Sequence, residues 1–131
     1  MKRIDTGRFG EKIAARHLKK NGYRILEKNS RQAHNELDLV ALNKDFIVFA
    51  EVKTRSTDAD LYSPYGSPAS AVNKVKQSHL LAAASQYLRS HPRYASRQVR
   101  FDVLEVYLDR QSGRVLRVHH IENAFGRSMY F

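Results

Sequence analysis

The chain has 131 residues, 42% of them hydrophobic and 27% charged, a size and balance that suit one globular domain and exclude a disordered chain or two full domains. Cysteine is absent, which removes disulfides, thiolate metal centres and cysteine nucleophiles. Lysine and arginine number 23 against 13 aspartates and glutamates, and the net charge of +10 favours a polyanionic partner, nucleic acid first among them.

Thr6 is placed to cap a helix running to about Asn21, with Phe9, Ile13, Ala14 and Leu18 as its apolar stripe and Gly22 as its stop. Residues 23–30 follow as a strand. Residues 36–42 alternate, setting Leu37, Leu39 and Ala41 on one side and Glu36, Asp38 and Val40 on the other. Asn43 to Asp45 read as a hairpin turn. Residues 46–53 (FIVFAEVK) form the most apolar strand, expected at the centre of the sheet, with Phe49, Glu51 and Lys53 on one face. The stretch 54–68 holds two prolines and a glycine and is expected to be a long loop. Its Tyr62 and Tyr65, with Phe49, are candidates to line a groove, although aromatic residues more often fill cores. Ser70 is expected to cap a second helix reaching about Ser90, where His91-Pro92 closes it. Strands are expected at 99–108 and 114–121, joined by a turn at 109–113, and the short tail after Glu122 is read as helical.

The order α-β-β-β-α-β-β describes a single α/β domain over residues 1–131, a small mixed sheet flanked by helices. The second helix serves as a crossover between parallel strands, and the flanking hairpins are antiparallel. No apolar run approaches the roughly 18 residues that cross a membrane, and the first residues hold no apolar signal core. The expectation is a cytoplasmic protein without a membrane partner.

Charge is unevenly spread. Residues 1–34 carry ten basic and three acidic groups, residues 35–61 three and six, and residues 62–100 six basic groups and no acid. Carboxylates for a metal, flanked by cations for a phosphate backbone, are what a nuclease requires. The acidic segment contains the most informative constellation, Asp38 with Glu51-Val52-Lys53. Two strands joined by a short hairpin bring the two carboxylates together, and Lys53, two residues on, shares the face of Glu51. Glu51 interrupts an apolar run, and a buried carboxylate demands a metal, a cation or solvent. Such a pair can hold Mg²⁺ with several waters, and Mn²⁺ can substitute for it. A structural ion pair between Glu51 and Lys53 is the plainer alternative, and the two uses are compatible. Thr54, Arg55 and Ser56 follow the lysine and are candidates for phosphate contact. Arg8 and Lys12, among the cations spread round the first helix, offer a DNA-facing subset.

Asp38 and Glu51-Val52-Lys53, with the order of elements, resemble the PD-(D/E)XK nuclease superfamily. Longer stretches, TGRFGEKIAARHLKKNGYRILEKN (6–29), NELDLVAL (35–42), VFAEVKTRS (48–56), YGSPASAVNKVKQSHLLAAASQYL (65–88) and RFDVLEV (100–106), resemble the YraN-like family of uncharacterised bacterial proteins. That family looks related to archaeal-type Holliday junction resolvases. The resemblance implies a restriction-endonuclease-like core and a Mg²⁺-dependent endonuclease acting on DNA, with branched or junction DNA as a candidate substrate. It implies metal binding by Asp38 and Glu51, a catalytic role for Lys53, and Glu11 completing the site from the first helix. It also places a polar or basic position near the start of the second helix, where Lys74 and Gln77 stand three residues apart on one face. If the likeness extends to assembly, a two-fold homodimer sets two sites against two strands. Asn35 stands before the Glu-Leu-Asp run where the family usually has glycine, and asparagine is the residue that best tolerates the left-handed region after glycine.

Two rival readings stand beside this one. One is a nucleic-acid-binding protein that keeps the nuclease fold without the chemistry, and the other a structural partner in a DNA-processing assembly. Asp102, in the strand RFDVLEV, is expected to support a basic residue or the sheet edge. His119 and His120 cannot share one face of a strand, which makes them poor joint metal ligands.

Overall fold

The computed structural model describes residues 6–32, 34–58 and 72–126. Helix α1 (Thr6–Lys20) is followed by strands β1 (Arg24–Gln32), β2 (Asn35–Leu42) and β3 (Phe46–Thr57). Helix α2 (Lys74–Ser90), a 3₁₀ turn (Pro92–Tyr94) and strands β4 (Gln98–Asp109) and β5 (Val115–Phe125) complete the order α-β-β-β-α-β-β. The five strands lie in sequence order in one sheet. Only β3 and β4 pair in parallel, bridged by the α2 crossover, while the other neighbours are antiparallel. The expected α/β architecture is therefore present.

Strand alternation divides the core into two layers. Ile47, Phe49, Phe101 and Val103 face Leu80, Ala83, Ala84 and Tyr87 of α2. Val48, Ala50, Leu104 and Val106 face Ala14, Ala15 and Leu18 of α1. One helix thus covers each face of the sheet. Phe49 stacks on Phe101 and meets Tyr87 edge-to-face, so it is a core residue rather than part of a groove.

Helix ends follow local chemistry. Gly22 adopts φ +89°, Tyr23 N–H donates to Leu18 O at 3.0 Å, and Gly22 N–H to Lys19 O at 3.2 Å. This double bond pattern ends α1 where the glycine predicts. Asn43 Oδ1 accepts from Asp45 and Phe46 N–H, making the tight turn between β2 and β3. The cap of α2 is Asn73, whose side chain accepts from Lys76 N–H at 2.8 Å. Ser70, expected in that role, lies outside the described residues, as do Tyr62 and Tyr65.

Three expectations are corrected. β3 does not end at Lys53 but runs to Thr57, because β4 pairs with it in parallel as far as Thr57 opposite Asp109. Residues 54–57 are therefore strand rather than loop. Residues 123–125 are not helical: β5 continues to Phe125, whose ring stacks on Phe101, and residues 127–131 lie outside the described residues. Leu37 joins Val40 and Leu42 in the α2-side cluster instead of sharing the cluster of Leu39 and Ala41. The paired register of β2 and β3 stops at Leu39 opposite Ala50, and β1, which still pairs with Leu37 through Ser30, is left-handed at Asn29 between Lys28 and Ser30.

Candidate active site

The site forms where β2 and β3 part. One step beyond the last registered pair, Leu39 with Ala50, come Asp38 and Glu51. Asp38 takes over the role of the missing ladder bond: its Oδ2 accepts from Val52 N–H at 3.0 Å. On the other flank, β1 is left-handed at Asn29 (φ +52°), between the pairs Lys28–Leu39 and Ser30–Leu37. Asn29, Asp38 and Glu51 therefore line up across three strands.

Electrostatics single out Glu51. Its side chain is 13% exposed, and Oε2 is buried with no hydrogen-bond partner among the described residues. Burial, reinforced by the Asp38 charge, pushes its carboxyl up to about 7, against the opposing pull of Lys76 and Lys53. Asp38 is also raised by burial, with the Val52 N–H bond and Lys76 opposing. Lys76 Nζ stands 3.8 Å from Glu51 Oε1. Lys53, half-buried on the same strand, is close enough for its charge to act on Glu51.

Glu11 reaches the site from the opposite layer. Gly10 packs so tightly on β3 that a Cβ there would lie 1.8 Å from Thr54 Oγ1. This close approach brings the next residue, Glu11, to Asn29, with which it hydrogen-bonds, and within charge range of Asp38 and Glu36. Burial raises its carboxyl, and the two acids add to that, while Asn29 and Arg8 oppose them.

The sequence-predicted residues thus fall into groups. Asp38, Glu51 and Lys53 adjoin, and Glu11 senses Asp38. At the start of α2, Lys76 reaches Glu51; Lys74, two residues earlier, is exposed, and Gln77 donates to Val72 O. Arg55 forms an ion pair with Glu105 at 3.0 Å. Arg8 and Lys12 are exposed on α1. Asn35 is not left-handed; it is a half-buried strand residue paired with Gln32, and the left-handed asparagines are Asn29 and Asn123.

Lys76 and Asn29 are the two site residues that no sequence motif marks. Asn73 and Ser70 are equally good caps by residue type, so the sequence does not say which residue of the first turn meets Glu51. Asp102 supports a basic residue as expected. Fully buried, it accepts two bonds from Arg100 and one from Asn123 N–H, with His120 Nε2 at 2.7 Å. Arg100 also donates to Tyr23 Oη, and His17 meets the His120 ring edge-on. His119 and His120 do point to opposite faces, towards Glu105 and Asp102 respectively.

The donor set suits a hard divalent cation that keeps much of its water, since such ions need only one or two carboxylates. Among the described residues no three His, Asp or Glu side chains converge as a ready-made cage. The fit rests instead on Asp38, already oriented by backbone, beside an orphaned Glu51 oxygen. No helix among the described residues is long and apolar enough to cross a membrane.

The sequence model of Uncharacterised protein family UPF0102 matches residues 10–106, a span that holds Glu11, Asp38, Glu51 and Lys53. The chain belongs to this family. A UPF0102 protein of Caldanaerobacter subterraneus subsp. tengcongensis is 43% identical over 128 residues, covering 95% of this chain and 100% of its own. One from Frankia casuarinae is 47% identical over 119 residues, covering 91% and 94%. One from Chlorobium phaeobacteroides is 40% identical over 124 residues, covering 92% and 94%. Family membership thus extends across nearly the whole chain and agrees with the YraN-like resemblance of its motifs.

Proposed function

We propose that this UPF0102 chain is a metal-dependent endonuclease that hydrolyses DNA phosphodiester bonds, with branched or junction DNA as the substrate to test first. The observation that carries the reading is the orphaned, buried Glu51 oxygen beside Asp38, an arrangement that costs stability unless a cation completes it. Asp38 and Glu51 would hold Mg²⁺ or Mn²⁺. When bound, such an ion supplies water activation and charge neutralisation at the phosphate.

The chain's own groups do the rest. The Val52 N–H fixes the Asp38 carboxylate, so a ligand meets an oriented oxygen. Glu51 holds a proton over part of the neutral range and would give it up in binding a cation. Lys53 presents an ammonium on the same face, able to orient a water or to stabilise charge growing on the phosphate. Glu11, bonded to Asn29, adds a carboxyl at the rim nearest Asp38. The net charge of +10 favours DNA approach.

Cleavage of four-way, flapped and plain duplex DNA with Mg²⁺ or Mn²⁺ tests the reading. Activity is expected from the parent protein and its loss from Asp38→Asn and Lys53→Ala. Cleavage that survives both substitutions overturns the assignment. One observation favours a second reading: Lys76 already stands 3.8 Å from Glu51. An amine that supplies the cation itself would suit a protein that holds nucleic acid without cutting it. Salt-dependent DNA binding with no metal uptake at Asp38 and Glu51 would select that alternative.

A further inference from the structure

The sheet face that carries Glu51 and Lys53 bears a second cluster of charge. Glu105 on β4 is the register partner of Lys53 on β3 and of His119 on β5, so the three stand in one row across the sheet. Glu105 is 2% exposed. Its Oε2 accepts from Arg55 Nε at 3.0 Å, and its Oε1 lies 3.1 Å from His119 Nδ1. The two partners are not buried with it: the Arg55 side chain is 34% exposed and that of His119 is 40%.

Packing does not explain an acid at this position. Phe101 and Val103 precede Glu105 on the same face, and an apolar residue would continue their run. Replacing a buried ion pair by packed hydrophobic groups is often neutral or stabilising. What the carboxylate adds is orientation. Arg55 is held through Nε, which fixes the plane of its guanidinium, and His119 is held through Nδ1, which turns Nε2 away from Glu105. Strand spacing puts His119 about 10 Å from Lys53 between Cα atoms, and Arg55 lies about 7 Å along β3 from it. Those separations are too long for the phosphate being cut at Lys53 and suit one beside it.

We propose that Glu105 is a positioning residue that sets Arg55 and His119 as a binding site for the DNA phosphate flanking the cleaved bond. The proposal rests on the nuclease reading for its ligand, yet it concerns binding and can be measured without turnover.

Fluorescence anisotropy of a labelled four-way junction and a labelled duplex, in EDTA and over a range of KCl, provides the test. Glu105→Gln is the discriminating variant. It removes a negative charge, so simple electrostatics would tighten DNA binding. Loss of positioning would instead weaken it, by about threefold to tenfold. His119→Gln, at a half-exposed position, should weaken binding in the same direction. The double variant Arg55→Gln/Glu105→Gln should also lower the slope of log affinity against log salt by about one, a readout that a merely structural role would not move. Thermal melting establishes that each variant is folded, and His119→Gln decides if Glu105→Gln is not. Equal or tighter binding by folded variants, with metal-dependent cleavage intact in the parent, overturns this site and leaves the nuclease reading standing. Weakened binding in variants of a parent that never cuts DNA overturns the nuclease reading and leaves Glu105 positioning a DNA-phosphate site without a cleaved bond beside it. A parent that binds no DNA overturns both.

Discussion

Gly10 of α1 and Thr54 of β3 are in backbone-to-side-chain contact so close that no side chain fits between them: a Cβ on Gly10 would lie 1.8 Å from Thr54 Oγ1 and 2.9 Å from its Cβ. Gly10→Ala must therefore push α1 away from the sheet. Overpacking of this kind costs about 1–3 kcal/mol. The loss, read from chemical denaturation, should be smaller in a Thr54→Ala background, because the two residues share one gap. An additive double variant would show that the contact is not what restrains the helix.

Glu51→Gln is expected to stabilise the metal-free protein at pH 8. In the folded chain the Glu51 carboxyl is raised from 4.5 to about 7, so its neutral form is favoured. Its contribution to stability is full below pH 4.5 and is lost as pH rises through 7. The shift corresponds to about 3 kcal/mol as an order of magnitude. Melting temperatures in EDTA should favour the glutamine variant at pH 8, with the gap closing towards pH 4. Mg²⁺ should raise the melting temperature of the parent and not of the variant. A parent more stable than Glu51→Gln at pH 8 in EDTA contradicts the strain described at this residue.

Lys76→Ala should tighten Mn²⁺ binding. Lys76 and a cation both answer the charge of Glu51, and the amine at 3.8 Å competes with the ion. The lysine side chain is 46% exposed, so solvent screens the pair and its worth is about 0–1 kcal/mol. Calorimetric titration should show a gain of no more than about fivefold. Weaker Mn²⁺ binding in the variant would mean that Lys76 supports the site instead of competing in it.

Asp102→Asn should destabilise strongly. It removes the close, buried charge partner of Arg100, whose side chain is only 9% exposed, and leaves it the more distant, exposed Glu122 at 3.9 Å. Breaking such a pair costs about 3–5 kcal/mol. Burial pushes the Asp102 carboxyl up, but bonds from His120, Arg100 and Asn123 N–H outweigh it and hold the group below 3.8. Its contribution is present above that value and is lost as pH falls through the folded one. Burial, with His120 and Lys20 nearby, lowers His17 as well, so its share is present above 6.5 and also lost in acid. Stability curves of the parent should fall on the acid side, and Asp102→Asn should flatten the lowest part of that fall.

Local patterning made part of this molecule readable. Alternation placed β2 and the apolar half of β3, and a two-residue spacing put Lys53 beside Glu51. Both depend on near neighbours in the chain. The rest depends on partners far away. Residues 54–57 look like loop until β4 supplies their hydrogen bonds, and residues 122–125 look free until Asp102 captures Asn123 N–H and Phe125 meets Phe101. Lys74 and Lys76 are not separable by composition, because which of them meets Glu51 turns on which residue caps α2. Asp102 and Glu105 did carry a signal. An acid inside an apolar strand must find a cation, and Arg100 stands two residues before Asp102 on the same face.

The parallel pairing of β3 with β4 has a kinetic consequence. Every rung joins residues 52 apart in the chain, from Phe46 with Gln98 to Thr57 with Asp109, whereas the β1–β2 and β4–β5 hairpins close over short spans. Long loops lose more entropy on closure and form late, so the two halves should assemble first and zip together last. That final zipping creates the hydrophobic centre and seats Arg55 on Glu105 in one event. A half-folded chain, rich in exposed strand edge and positive charge, would carry neither, and the constellation on β3 would come into being only with the native state.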